Sequence, residues 1–350
     1  MLVGDIMNVG VIGATGYAGQ QLVWLLNNHK RVNISFLASH SYSDNLYSSV
    51  YKNYKGFIQN NCINIQQVYE NLSSLDIAFI ALPHGKSMDI TKDLVSKGIR
   101  VIDLSADFRL NSPEVYKKWY GLEHGGKELL QESIYGLPEL NRDSIKNGQL
   151  IANPGCYPTA SILALAPLLK NNLIDIDTII IDAKSGVSGA GRSLNTNTLF
   201  CECNESVKAY GIGNHRHTPE IEQELSDLIN GNISLLFTPH LIPMNRGILA
   251  TCYSKLAQGC SVEALEEIYK DFYSHNYFVR VLEYIPETKW VKGSNFCDIG
   301  IVLDNKTNRV IVIAAIDNLI KGAAGQAIQN MNIMLGFDEW EGLNFPGMIP

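Results

Sequence analysis

Residues 8–26 restrict the fold more than any other stretch of this chain. Asn8-Val9-Gly10-Val11-Ile12-Gly13 is a short apolar strand, Ala18 to Leu26 has the pattern of a helix, and Gly13-Ala14-Thr15-Gly16-Tyr17-Ala18-Gly19 joins them. Glycines at such a junction permit a tight turn and let the backbone approach an anion, such as a pyrophosphate, at the helix N-terminus. The spacing is GxxGxxG rather than the commoner GxGxxG, and a ligand-free glycine turn is the plain alternative. The strand–turn–helix context favours binding, with Gly13, Thr15, Gly16, Tyr17 and Ala18 as the contacts.

The βαβ rhythm continues with strands at Val32–Ala38, Leu75–Leu82 and Arg100–Leu104 and a helix at Ser87–Ser96. This predicts a parallel sheet with helices on both faces and ligands at the carboxyl ends of its strands. An acidic residue at the end of the second strand would grip a ribose 2′-hydroxyl, but Leu37-Ala38-Ser39-His40-Ser41-Tyr42-Ser43 holds no carboxylate before Asp44. Ser39, His40 and Ser41 suit a 2′-phosphate, which favours NADP(H) over NAD(H); an ordinary polar loop is the alternative. Beyond residue 156 the strands lie closer together and alternate more, at Thr178–Ala183, Ser234–Thr238, Gly247–Tyr253, Asp298–Leu303 and Arg309–Ile316. With helices at Pro219–Ile229 and Val262–Ser274, an α+β domain with a mixed or antiparallel sheet follows. A last helix, Gly322 to Leu335, has one apolar face and packs back on the first domain.

Size and charge narrow the function classes. The chain has 350 residues, 46% hydrophobic and 18% charged, enough for two domains. A net charge of -7 leaves no basic footprint for nucleic acid or an anionic membrane. No apolar run approaches the ~20 residues of a membrane span. Met1 to Asn8 is too short and too uncharged for a targeting peptide, so a cytoplasmic setting is expected. The seven cysteines include no CxxC pair, which argues against a disulfide framework or structural zinc, and Cys201-Glu202-Cys203 is weak evidence for a metal. No metal is expected.

One cysteine stands apart. Asn153-Pro154-Gly155-Cys156-Tyr157-Pro158-Thr159 follows the strand-like Leu150-Ile151-Ala152 and precedes an apolar helix from Ala160 to Leu169. A thiol there meets backbone N–H groups and the positive end of a helix dipole, and a free thiol that titrates near ~8.5 falls in such a setting. Cys62, Cys252, Cys260 and Cys297 lie in apolar runs or plain loops and read as core or neutral. His215-Arg216-His217-Thr218-Pro219-Glu220 leads into a helix, with Thr218 as N-cap and Pro219 at N1. Its histidines suit a proton relay for a cysteine nucleophile, or are loop residues bonded to backbone. Ser185 to Arg192 is a second glycine-rich loop, in which Ser188 and Gly189 bring backbone close to a nicotinamide or phosphate, or equally a flexible turn. Arg109 and Arg246 are candidate anion clamps.

Taken together, these motifs resemble the N-acetyl-gamma-glutamyl-phosphate reductases, the arginine-biosynthesis branch of the semialdehyde dehydrogenases. The resemblance also covers Ala81-Leu82-Pro83-His84-Gly85, Asp103 to Arg109, Tyr135-Gly136-Leu137-Pro138-Glu139 and Asn318 to Gln326, and so runs from residue 13 to about 326. It implies a Rossmann-type, doubly wound NADP(H) domain over residues 1–155, joined by a C-terminal segment 318–350, and an α+β catalytic and dimerisation domain over 156–317. It implies Cys156 as nucleophile, His217 as acid–base residue with His215 as the alternative, and Asn318 at the cofactor. Arg109, Arg192, His215 and Arg246 would hold substrate or released phosphate. Where many relatives carry an arginine after the second strand, this chain has His40. The implied reaction takes an acyl phosphate to a semialdehyde and inorganic phosphate in a homo-oligomer, dimer or tetramer. Two neighbouring chemistries are aspartate semialdehyde dehydrogenase and the reduction of a carrier-bound aminoadipyl phosphate in lysine biosynthesis. The HRHxPE segment and the ending KGAAGQ favour the arginine branch. A dinucleotide sensor without catalysis is the reading from another class, and it has no need of Cys156.

Overall fold

The computed structural model describes residues 6–349. The first five residues of the predicted range 1–155 and the last residue of the predicted segment 318–350 therefore lie outside the described residues. Short β-branched runs, too brief for stable helices, build the first sheet. Its strands are β1 (Met7–Ile12), β2 (Val32–Ala38), β3 (Cys62–Ile63), β4 (Ile77–Ile80), β5 (Arg100–Asp103), β6 (Ile134–Tyr135) and β7 (Leu150–Ala152). All neighbours pair in parallel, in the order β3-β2-β1-β4-β5-β7-β6. β4 is buried at every residue, as a strand covered on both faces must be. The order reverses at β1, so the crevice for a ligand opens where β1 and β4 end.

Helix α1 (Tyr17–Asn27) follows β1 through the glycine turn. Gly13 has φ +86, and a Cβ there would stand 2.3 Å from the Ala81 carbonyl oxygen, so only glycine makes this turn. A Cβ on Gly19 would stand 2.2 Å from the Gly13 carbonyl oxygen, so glycine also lets the helix close on its own turn. The N–H groups of Gly13 and Ala14 both reach the Ala38 carbonyl at 2.9 and 3.0 Å, which ties the turn to the end of β2.

The second sheet contains β8 (Ile180–Ser185), β9 (Lys208–Ala209), β10 (Leu236–Leu241), β11 (Ile248–Lys255), β12 (Val279–Val281), β13 (Cys297–Asp304) and β14 (Arg309–Ile316). Their order is β12-β13-β14-β11-β8-β10-β9. Pairing is antiparallel except for β8 with β10 and β12 with β13, so the sheet is mixed. Helix α2 (Cys156–Lys170) packs on β11, on β14 and on α3 (Thr218–Ile229). It is buried at every residue but its first and last, which explains its unbroken apolar sequence. Pro167 has no N–H for the Leu163 carbonyl one turn back. The Tyr273 hydroxyl donates to that carbonyl at 2.6 Å instead.

The C-terminal helix differs from its prediction. A π-helical turn at Ile320–Ala324 precedes α4 (Gly325–Met334), and α4 is buried all round rather than on one face. Amide nitrogens on it find backbone partners: Asn330 Nδ2 donates to the Gly136 carbonyl at 2.8 Å, and Asn332 Nδ2 to the Glu341 carbonyl at 2.8 Å. The chain forms two compact units, one running to Pro154 and including Ala323–Asn344, the other comprising Gly155–Gly322 and the residues from Phe345 onward. The predicted changeover at 318 thus falls at 323, because Asp317 and Asn318 bond loops of the second unit. The end of the chain, predicted with the first unit, joins the second, where the Met348 N–H reaches the Lys292 carbonyl at 2.7 Å. Among the described residues no helix is long and apolar enough to cross a membrane.

Candidate functional site

Cys156 is the first helical residue of α2, four positions earlier than the predicted helix start. Pro158 lies in the first turn, where proline is tolerated, so it does not delay the helix. Gly155 is the N-cap, extended at φ -67 and ψ 154, with no side-chain cap of its own. The dipole there favours negative charge. Cys156 is half-buried and in no disulfide. Two contacts fix its backbone. The Gly155 N–H donates to Oε1 of the buried Glu220, in the first turn of α3, at 2.7 Å. Gly322 packs so closely that a Cβ on it would stand 2.8 Å from the Cys156 Cβ.

The two histidines gather around the next residue. The Tyr157 ring centroid lies 5.7 Å from His215 and 5.9 Å from His217, and the two imidazoles are 4.9 Å apart. The His217 N–H donates to His215 Nδ1 at 3.1 Å. His215 Nδ1 is therefore an acceptor, and a neutral ring carries its proton on Nε2. Burial, aided by the Arg216 charge, lowers the His215 pKa to about 4. Thr218 is not the N-cap as predicted. His217 holds that position without a side-chain cap, because the Thr218 N–H closes a turn on the His215 carbonyl at 2.9 Å and brings helical geometry one residue early.

The His215 shift carries a stability prediction. Its folded pKa, about 4, lies below the unfolded value of 6.5, so its contribution is fully present above pH 6.5 and is lost as pH falls through about 4. The span corresponds to about 3 kcal/mol at most. His215→Gln is expected to remove that part of the acid sensitivity. Thermal unfolding of both proteins at pH 4.5 and 7.5 checks this (about three pH units apart). An unchanged difference between the two pH values sinks it.

Three loops of the second unit are stitched together beside this region. Asn318 Oδ1 accepts from the Gly247 N–H at 2.8 Å, and its Nδ2 donates to Ser188 Oγ at 3.0 Å, beside Gly189. Arg246 Nη1 donates to both carboxylate oxygens of the buried Asp317, at 2.9 and 3.0 Å. Asp317 also accepts from the N–H groups of Gly293, Leu319 and Ile320, at 2.6, 2.8 and 3.0 Å. Since the Gly322 N–H bonds the Asp317 carbonyl at 2.9 Å, one turn links Arg246 to Cys156. Arg192 stands at the exposed end of the glycine loop. Glu220 and Asp317 were not among the predicted site residues.

In the first unit, Ser39 is buried and its Oγ lies 2.7 Å from Thr15 Oγ, so the second-strand terminus and the glycine turn share a hydrogen bond. His40 and Ser41 are exposed. Gly16 has φ -76 and no neighbour nearer than 3.6 Å to a built Cβ. Neither conformation nor packing demands glycine there, and the missing side chain leaves the head of α1 open beside Tyr17 and Ala18. Arg109 is buried, with Nε on the Asn153 carbonyl and Nη2 on the Leu104 carbonyl, both at 2.8 Å. Part of its predicted clamp is thus spent bracing backbone. Among the described residues no group of three or more His, Cys, Asp or Glu side chains is placed to hold a metal.

Known proteins resemble this chain over nearly its whole length. Residues 8–148 match the NAD binding domain of semialdehyde dehydrogenases, and residues 156–318 match their dimerisation domain. The N-acetyl-gamma-glutamyl-phosphate reductase of Clostridium novyi is 58% identical over 344 residues, 98% of this chain and 100% of that protein. The enzyme of the same name from Acetivibrio thermocellus is 53% identical over 344 residues, 97% of this chain and 99% of the relative. The crystal structure of aspartate semialdehyde dehydrogenase II from Vibrio cholerae shares the fold, with a TM-score of 0.73 at 19% identity over 95% of this chain and 99% of that one.

Proposed function

This chain belongs to the semialdehyde dehydrogenase family and has the N-acetyl-gamma-glutamyl-phosphate reductase activity of arginine biosynthesis; we propose that Cys156 carries that activity as a covalent nucleophile, with NADP(H) as cofactor. The observation that carries the proposal is the half-buried cysteine on the first residue of α2, with Glu220 on the preceding backbone N–H and Gly322 packed against its Cβ. The first unit is a NAD(P)-binding domain by its family match. A Gly13–Gly19 turn with open space at Gly16 fits a pyrophosphate, and Ser39, His40 and Ser41 with no neighbouring carboxylate fit a 2′-phosphate. Ser188, Gly189 and Asn318 would border its nicotinamide end. We expect a cytoplasmic homo-oligomer, dimer or tetramer.

The chemistry follows from these residues. The Cys156 sulfur attacks the acyl carbon of N-acetyl-γ-glutamyl phosphate, the carbon–oxygen bond to phosphate breaks, and phosphate leaves with its electron pair. The product is a thioester on Cys156. When bound, NADPH supplies the hydride for its carbonyl carbon. His217 takes the thiol proton at the first step, lends it at reduction to the oxyanion that amides at the head of α2 stabilise, and takes it back as the carbon–sulfur bond breaks, to return it to the departing sulfur. The sulfur then leaves with the semialdehyde carbonyl re-formed. His215, neutral through Nδ1 acceptance, donates its Nε2 proton to substrate, and Arg246, aimed by Asp317, faces an anionic group. Arg109 and Arg192 are further candidates for holding the departing phosphate.

Protein incubated with N-acetyl-γ-glutamyl phosphate without NADPH is expected to gain an N-acetylglutamyl group on the peptide that holds Cys156. NADPH should then release it as the semialdehyde. Peptide mass spectrometry that finds no adduct, or one on another residue, defeats the covalent route.

A further inference from the structure

The excursion between β2 and β3 carries four tyrosines that the reaction leaves unused, and three of them bond one short stretch of backbone. Tyr47, Tyr51 and Tyr54 lie on a broken helical segment, Tyr47–Val50 followed by Lys52–Tyr54. Their rings pack on one another, with centroids 5.5 Å apart for Tyr47 and Tyr51 and 5.3 Å for Tyr47 and Tyr54. Each hydroxyl donates to a backbone carbonyl in the glycine turn or in the first turn of α1. Tyr47 reaches Ala14 at 3.0 Å, Tyr51 reaches Thr15 at 2.9 Å and Tyr54 reaches Gln20 at 3.1 Å. Tyr47 is fully buried. The segment is itself anchored, through the Tyr47 N–H on the Asn60 carbonyl at 3.0 Å and through β3, which pairs with β2.

The Tyr47 and Tyr51 contacts fall on the glycine turn. A peptide unit is planar and trans, so its carbonyl and the following N–H point in opposite directions. Holding the Ala14 carbonyl sets the direction of the Thr15 N–H. Holding the Thr15 carbonyl sets that of the Gly16 N–H, which closes on the Gly13 carbonyl at 3.1 Å. A turn with three glycines in seven residues otherwise keeps wide backbone freedom, and a ligand would have to remove it on binding. The two tyrosines hold the turn in one conformation beforehand.

We propose that Tyr47 and Tyr51 are positioning residues for the dinucleotide, setting the affinity of the turn for the pyrophosphate that NADPH and NADH share. The proposal rests on the assignment of the first unit to dinucleotide binding. Two consequences separate it from a merely structural role. Affinity falls beyond what stability alone reports, and it falls by the same factor for both dinucleotides, because the 2′-phosphate end at residues 39–41 is untouched.

The test uses the full chain with Tyr47→Phe, Tyr51→Phe and the double change. NADPH and NADH dissociation constants are measured by fluorescence titration, alongside thermal unfolding. Loss of one such hydroxyl is expected to weaken both dinucleotides about 3- to 10-fold, with kcat at saturating NADPH within about twofold of the parent. If the buried Tyr47 variant does not fold, the half-buried Tyr51 variant decides. A lowered melting temperature with unchanged dissociation constants overturns the clamp, as does weakening confined to NADPH. A parent protein that binds neither dinucleotide overturns the dinucleotide assignment and the clamp with it. Unchanged binding in the variants of a parent that does bind overturns the clamp alone.

Discussion

Cys156→Ser is expected to lower NADPH-dependent reduction of N-acetyl-γ-glutamyl phosphate by about 10⁴-fold or more, to the limit of detection. Serine matches the cysteine in size, so Gly322 still packs against its Cβ and the Gly155 N–H still reaches Glu220. What changes is the nucleophile. A thiol at a helix head reaches its anion near neutral pH, whereas a hydroxyl does not without a base tuned for it. The substitution also leaves the glycine turn of the first unit intact, so the NADPH dissociation constant should stay within about twofold. Steady-state assay, NADPH titration and thermal unfolding on one preparation separate the outcomes. Turnover within about tenfold of the parent refutes the thioester. Loss of fold together with activity would make Cys156 a structural residue.

How far the site was legible follows from where its partners lie in the chain. The β1–turn–α1 unit and β14 were readable because strand, turn and helix are each decided within a dozen residues. The motif around Cys156 was readable too, but its helix was placed late, at the first residue of the apolar run, whereas Gly155 is a cap and Pro158 a first-turn proline. Asp317 carried no signal. Its donors come from positions 246, 293, 319 and 320, and only the folded second sheet brings them to one carboxylate. Glu220 was quoted within its motif, yet nothing local shows that it accepts from Gly155, 65 residues away. In α4 the asparagines and glutamines suggested a solvent face, whereas each lies buried. Polarity alone does not separate a buried, bonded amide from an exposed one. The tyrosines at 47, 51 and 54 do have helical spacing, but what they hold is a turn and a helix start more than thirty residues upstream.

His217→Asn is expected to cut kcat by about 10²- to 10⁴-fold, the usual range for loss of a positioned acid–base group. The two imidazoles are neighbours, and the structure treats them differently. His215 gives Nδ1 to the His217 backbone N–H and stays neutral down to about pH 4, so it serves as a fixed donor rather than a proton carrier near neutrality. The proposal therefore gives proton transfer to His217, at the N-cap of α3 and three residues from the buried Glu220. Asparagine keeps a polar group at the cap and removes the titration. The kcat–pH profile of the variant should therefore flatten between about pH 5 and 8, where histidines exchange protons. The KM for the acyl phosphate should move less than about threefold. His215→Asn should do the reverse, raising KM with a smaller fall in kcat, because a substrate contact is lost rather than a relay. Profiles of kcat and kcat/KM for both variants distinguish the roles. If the flattened profile and the large kcat loss belong to the 215 variant, the two histidines exchange places in the mechanism.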